Sequence, residues 1–155
     1  MEKEHSVRFH QFLDKTTRFV RNSAAEDVEN QGFRHYHIPF LISIARYPGT
    51  SQKGLCERVP LDKSRVSIVV RELISLGLAV NSSTGKVWAL NLTPKGMDAY
   101  KTAMEITIRM DDSMFSVLTE EEIKTFLDIT SKISQRIDEL SGGDVFKDLD
   151  SLVAS

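Results

Sequence analysis

Cysteine is almost missing from this 155-residue chain. Cys56 stands alone, so an intramolecular disulfide is excluded and a cysteine-based metal site would need other ligand types or a second chain. Beside Leu55 it is expected to pack as a small apolar group. Long apolar runs are absent too: charge interrupts every stretch well short of the roughly 20 residues a membrane span requires. The opening Met1-Glu2-Lys3-Glu4-His5 leads into no apolar segment of a secretory signal, and a cytoplasmic protein without membrane partners is expected. There is no glycine-rich phosphate loop, no nucleophile motif, and no grouping that supplies nucleophile, base and stabiliser together. An enzyme is therefore not expected, and no cofactor is called for. The four histidines, His5, His10, His35 and His37, suggest no metal site, since His35 and His37 would point apart on a helix and no thiol or carboxylate cluster completes a ligand set.

Neither sign of charge dominates overall, the formal net being −2, but its distribution is uneven. Residues 1–45 carry six basic and six acidic groups, residues 46–95 eight against three (net +5), and residues 96–155 six against thirteen (net −7). A middle segment rich in cations inside a mildly acidic chain is the footprint of a phosphate-binding face. A chain of this length fits one domain and can bury about 70% of its unfolded surface, so no covalent staple is required.

Phe9, Phe12, Leu13, Thr16, Phe19 and Val20 recur at three-and-four spacing and predict an amphipathic helix over 5–22, followed by a connection over 23–34. A second helix is expected over 36–47, with Pro39 in its first turn and Pro48-Gly49 as its stop. Thr50 or Ser51 can cap a short third helix, with Leu55, Cys56 and Val59 facing inward and Pro60 beyond its end. Asp62 is placed to cap the next, and Gly77 to terminate it. On that helix Val66, Val69, Val70 and Leu73 take one face, whereas Ser64, Ser67, Ile68, Arg71 and Ser75 take the other. A hairpin is expected from residues 78–80 and 87–92 around Asn81-Ser82-Ser83-Thr84-Gly85-Lys86, with Trp88, Leu90 and Leu92 on one inward side. Thr93-Pro94 starts a long helix to about residue 114. Thr119 with Glu122 forms a capping box for a last helix, whose Ile123, Phe126, Leu127, Thr130, Ile133, Ile137 and Leu140 make a near-heptad stripe. Gly142-Gly143 is its expected stop. The predicted class is mainly α with a small β-wing: a winged helix-turn-helix with duplex DNA as partner.

The ordered set Pro48-Gly49-Thr50-Ser51-Gln52 with Leu55, then Asp62-Lys63-Ser64, Leu73, Gly77-Leu78 and Leu92-Thr93-Pro94-Lys95-Gly96 resembles the MarR family of winged-helix regulators over residues 5–140. The resemblance implies a homodimeric repressor whose first and last helices intertwine and whose two recognition helices enter successive major grooves of a pseudo-palindromic operator. It implies a division into residues 1–34 (first helix and connection, dimerisation), 35–93 (winged helix-turn-helix), 94–141 (long helices, dimerisation) and 142–155 (acidic tail). Lys63, Ser64, Arg65, Ser67, Ile68, Arg71 and Lys86 are the expected DNA-contacting residues. Two positions depart from the family pattern. Thr84, Gly85 and Lys86 stand where Asp-x-Arg is usual, in a wing about three residues shorter, and Ile68 stands where a polar or basic residue is frequent.

The family's relief of repression by a small aromatic or anionic effector implies a crevice bordered here by Phe12, Arg18, Tyr36 and His37. Its thiol sensors carry a reactive cysteine in the first helix, where this chain has none. The competing reading is a winged-helix protein-interaction module without specific DNA binding, which would lack the salt dependence imposed by counterion release.

Overall fold

Four helices begin at a side chain that accepts a free backbone N–H, which is why the boundaries fall where they do. Ser51 accepts from Gly54, Asp62 from Arg65, and Thr93 from Gly96, each at 3.0 Å. Thr119 accepts from Glu122 at 3.2 Å while the Glu122 carboxylate accepts from the Thr119 N–H at 2.9 Å, closing the capping box. In the computed structural model, which describes residues 1–28 and 30–141, the elements run α1 (Lys3–Asp27), α2 (Ile38–Arg46), α3 (Gln52–Arg58), α4 (Lys63–Ser75), β1 (Ala79–Asn81), β2 (Leu90–Leu92), α5 (Pro94–Phe115) and α6 (Glu120–Leu140). The stop expected at Gly142-Gly143 and the acidic tail lie outside the described residues.

The core is built from α2, α3, α4 and the strands. Phe40, Leu41, Ile44, Leu55, Val66, Val70, Leu73, Leu78 and Leu90 are all fully buried there. α5 covers this unit with Ala99, Ala103 and Ile106, and α1 joins it only near its C-terminal end, through Ala24 and Val28. Cys56 is half-buried against the same core. β1 and β2 are antiparallel, with Ala79 opposite Leu92, Val80 opposite Asn91 and Asn81 opposite Leu90. The Gly49 N–H donates to the Leu90 carbonyl at 2.8 Å, and Leu90 pairs with Thr50 in turn, so the wing is tied back to the start of α3.

Three expectations are adjusted. α1 continues to Asp27 rather than ending near residue 22, because Ala24 and Val28 bury one turn apart and carry the helix onto the core. The second helix is split into a tight 3₁₀ turn at His35–His37 followed by α2. The second strand begins at Leu90 instead of residue 87: Val87 is 69% exposed, and the Asn81 carboxamide, not a strand partner's carbonyl, accepts the Ala89 N–H at 3.0 Å. Trp88 is half-buried against the core, on the side its alternation with Leu90 and Leu92 predicts.

Gly96 is where α5 meets the wing. Its Cα lies so near the Leu78 carbonyl that a side chain there would overlap Leu78 backbone atoms. The same junction is tied by the Thr93 N–H to the Leu78 carbonyl at 3.1 Å, the Thr93 hydroxyl to the Gly77 carbonyl at 2.6 Å, and Lys95 Nζ to the Leu76 carbonyl at 2.8 Å.

Candidate nucleic-acid interface

α4 sits on the core by a four-residue apolar stripe: Val66, Val69, Val70 and Leu73 are all buried. Because a helix turns 100° per residue, this fixes what faces outward. Lys63, Ser64, Arg65, Ile68, Arg71 and Ser75 are exposed and Ser67 is half-buried. Among the described residues no ion pair engages Lys63, Arg65 or Arg71, so these three charges face water uncompensated. Neither α1 nor α6 covers this face, which is the surface a helix needs in order to enter a major groove.

The wing beside it is compact. Asn81 Oδ1 accepts from Ser83 N at 3.1 Å and from Ala89 N at 3.0 Å, and Ser83 Oγ accepts from Gly85 N at 3.0 Å. One side chain thereby replaces ladder bonds across the loop. Lys86 is exposed on this loop and supplies the wing's single cation. A lysine is a point charge without the planar fork of arginine, which suits it to phosphate contact.

At the edge of this face of α4 lies a constellation that sequence reasoning missed as a unit. His37, 1% exposed, accepts the Arg34 N–H at Nδ1 (2.9 Å) and lies 3.0 Å from the Glu72 carboxylate at Nε2. The first contact requires Nδ1 to be unprotonated, so Nε2–H is the donor to Glu72 and the ring is neutral. Burial pushes the His37 imidazole below its ordinary value near 6.5, against the opposing pull of Glu72. Tyr36 stands beside the same carboxylate, and burial, followed by the proximity of Glu72, raises its phenol above the ordinary value. The sole carboxylate of α4 is thus held by the 3₁₀ turn. Residues 37 and 72 are far apart in sequence, and no local pattern signals their meeting.

This buried imidazole gives stability a defined pH dependence. Above about pH 6.5 the ring is neutral in both folded and unfolded chains, and its contribution is complete. Below that value the unfolded chain binds a proton that the native ring resists, so the contribution is lost as pH falls. Urea unfolding at pH 7.5 and 5.5 is expected to show wild type losing more stability over this interval than His37→Gln. An equal loss would show that the ring does not carry the effect.

Phe12 and Arg18 are exposed on α1, and Tyr36 lies half in solvent with its ring 4.6 Å from that of His37. No hydrogen bond or ring contact among the described residues joins Phe12 or Arg18 to the Tyr36–His37 pair. His37 has both nitrogens occupied and presents none to a ligand. A cleft of about 670 Å³ opens next to the 3₁₀ turn instead, lined by Val28, Phe33, Arg34, His35 and the Leu76 end of α4, among others. Among the described residues no group of three or more His, Cys, Asp or Glu side chains is arranged to hold a metal ion, and no helix is long and apolar enough to cross a membrane.

No protein-family model matches the chain. A MarR transcriptional regulator from Methanosarcina mazei superimposes with a TM-score of 0.73 at 21% identity, covering 88% of this chain and 94% of that one. A Listeria monocytogenes protein described as a MarR-family regulator, crystallised with a 26-mer DNA, does so with a TM-score of 0.75 at 17% identity over 86% of this chain and 95% of that one. The chain has the MarR fold. By sequence it is 26% identical over 112 residues to the HTH-type transcriptional regulator BilQ of Clostridium symbiosum, spanning 70% of this chain and 78% of that protein. Within the MarR fold, α3 and α4 are the helix-turn-helix, the β1–β2 hairpin is the wing, and α1, α5 and α6 are the flanking helices.

Proposed function

We propose that this chain is a MarR-family regulator that binds a pseudo-palindromic duplex operator as a homodimer and represses until a small anionic or aromatic effector is bound. The observation that carries the reading is the open face of α4. It holds three cations that no ion pair engages among the described residues, together with Ser64, Ser67 and Ser75, next to a wing with a cation of its own. The Listeria protein of the same fold was crystallised with DNA, which supports assigning this face to a duplex. In this reading Arg65 and Arg71 contact base edges, Ser64, Ser67 and Ile68 line the groove, and Lys63 and Lys86 contact phosphates.

The dimer rests on a second observation. α6 buries none of its side chains, and Leu127, Ile129, Ile133, Ile137 and Leu140 are exposed along it, as are Val7, Phe9, Phe12, Leu13 and Phe19 on α1. An apolar stripe of this extent along each of two helices is an interface, not a scatter of single residues. A second copy would cover it by two-fold symmetry and set two α4 helices about one duplex turn, roughly 34 Å, apart. Ile133 and Ile137 are 46% and 48% exposed, so charging both disturbs no core within the chain. The Ile133→Asp/Ile137→Asp variant is expected to sediment as a monomer whose core unit still unfolds cooperatively, and to lose operator binding, whereas wild type sediments as a dimer. A monomeric wild type would overturn the symmetric reading.

Selection from random duplex, followed by gel shift at several salt concentrations, tests the whole. The expected result is an enriched inverted repeat whose affinity falls steeply with salt. Indifference to sequence at moderate salt would favour the protein-interaction module instead. For the effector, the cleft at Arg34 offers a cation next to the aromatic and aliphatic surface of Phe33, Val28 and Leu76. Release of the operator by aromatic carboxylates, and not by their neutral amides, is the outcome this predicts.

A further inference from the structure

Ile68 is the residue the charge argument leaves unexplained. It is a β-branched apolar side chain, 55% exposed, at the middle of the outward face of α4. Its neighbours one turn away on the helix are Ser64 and Arg65 before it and Arg71 and Glu72 after it. An isolated exposed isoleucine is ordinary on a protein surface. This one is encircled by the groups assigned to DNA, so it must enter the groove wherever they do.

That placement restricts what Ile68 can meet. In a major groove the base edges are hydrogen-bond donors and acceptors, and an isoleucine pressed on them would strip their water and return nothing. The exception is the C5-methyl of a pyrimidine, the one apolar group the groove displays. The nearby carboxylate removes a rival reading. A free Glu72 could accept from the amino group of cytosine, but here its carboxylate is drawn aside to His37, 3.0 Å away. Serine hydroxyls on either side are indifferent, since they pair with any base.

We infer that Ile68 is a specificity-determining residue that packs on a pyrimidine C5-methyl in each half-site of the operator. The inference rests on the operator-binding reading above and deepens it. The methyl can belong to thymine or to 5-methylcytosine, which present the same group at the same place.

The test starts from the duplex enriched by selection. Each thymine of the half-site is replaced in turn by deoxyuridine, which deletes the methyl and leaves base pairing intact. One symmetric pair of positions is expected to lose affinity about fourfold per half-site, about fifteenfold for the pair, the effect of uncovering a single methyl-sized group. Ile68→Ala, an exposed change to a strong helix former, is expected to bind more weakly and to distinguish thymine from deoxyuridine no longer. If the sensitive base is cytosine instead, 5-methylation of that cytosine strengthens wild-type binding and leaves Ile68→Ala unmoved, which assigns the modified base as the source. An enriched operator indifferent to every methyl, or a methyl effect that persists in Ile68→Ala, would overturn this inference alone. Failure to enrich any duplex would overturn the operator reading, and this inference with it.

Discussion

Arg71→Ala is expected to weaken binding to the proposed operator by about 2–6 kcal/mol, because a well-placed arginine–guanine contact is worth about 1–3 kcal/mol and the proposed two-fold dimer would lose it twice. In equilibrium terms that is a loss of between about 30-fold and about 10⁴-fold. The thermal midpoint is expected to stay within about 2 °C, since the side chain is exposed and pairs with no carboxylate among the described residues. The two readouts together separate a reading residue from one that only covers helix surface. Arg71→Lys sharpens the test: a phosphate contact survives the change, whereas a forked contact to a base does not. Gel shift on wild type and the two variants, at one fixed salt concentration, measures all of this. Unchanged affinity in Arg71→Ala would take that residue out of the interface.

Gly96→Ala is expected to have the largest effect on folding, although it adds a single methyl. The new Cβ would lie within bonding distance of the Leu78 carbonyl, and the obstacle is backbone, not a side chain that can swing aside. Either α5 retreats or the segment Leu76–Gly77–Leu78 does, and both movements pull on the three hydrogen bonds that join them. Overpacking alone costs about 1–3 kcal/mol, and a disrupted junction raises the total to about 3 kcal/mol or more. For a chain of this size the midpoint would fall by roughly 6–12 °C. Thermal unfolding followed by circular dichroism measures it, and a fall of less than about 2 °C would mean that the junction has slack. The glycine's value in the family pattern thus has a mechanical reason: it lets the long helix start against the wing.

Local features were the most readable part of this fold. Ser51, Asp62, Thr93 and Thr119 cap the helices they precede in sequence, since a cap needs only a side-chain oxygen and an N–H three residues on. The buried stripe of α4 was readable for the same reason, periodicity being a local property. What escaped was non-local. The length of the second strand depends on the Asn81 carboxamide taking an N–H eight residues away, and a short loop does not announce that exchange. The grip of His37 on Glu72 spans 35 residues, so a buried imidazole and a half-exposed carboxylate become one unit only once α4 is docked. The expected effector crevice grouped Phe12 and Arg18 with Tyr36 and His37 by their elements alone, and side-chain direction on α1 was not available to that argument. The open face of α4 follows from sequence; the withdrawal of Glu72 from that face does not.

The arrangement of α6 has a thermodynamic corollary. A 21-residue helix with a capping box and no side chain in the chain's own interior draws little of its stability from the fold it terminates. In the proposed dimer its order would be set by a bimolecular equilibrium, and melting behaviour would become a function of protein concentration. A regulator made this way would count its own copies: scarce chains would have frayed ends and unpaired reading heads, and abundance would itself assemble the form that holds DNA.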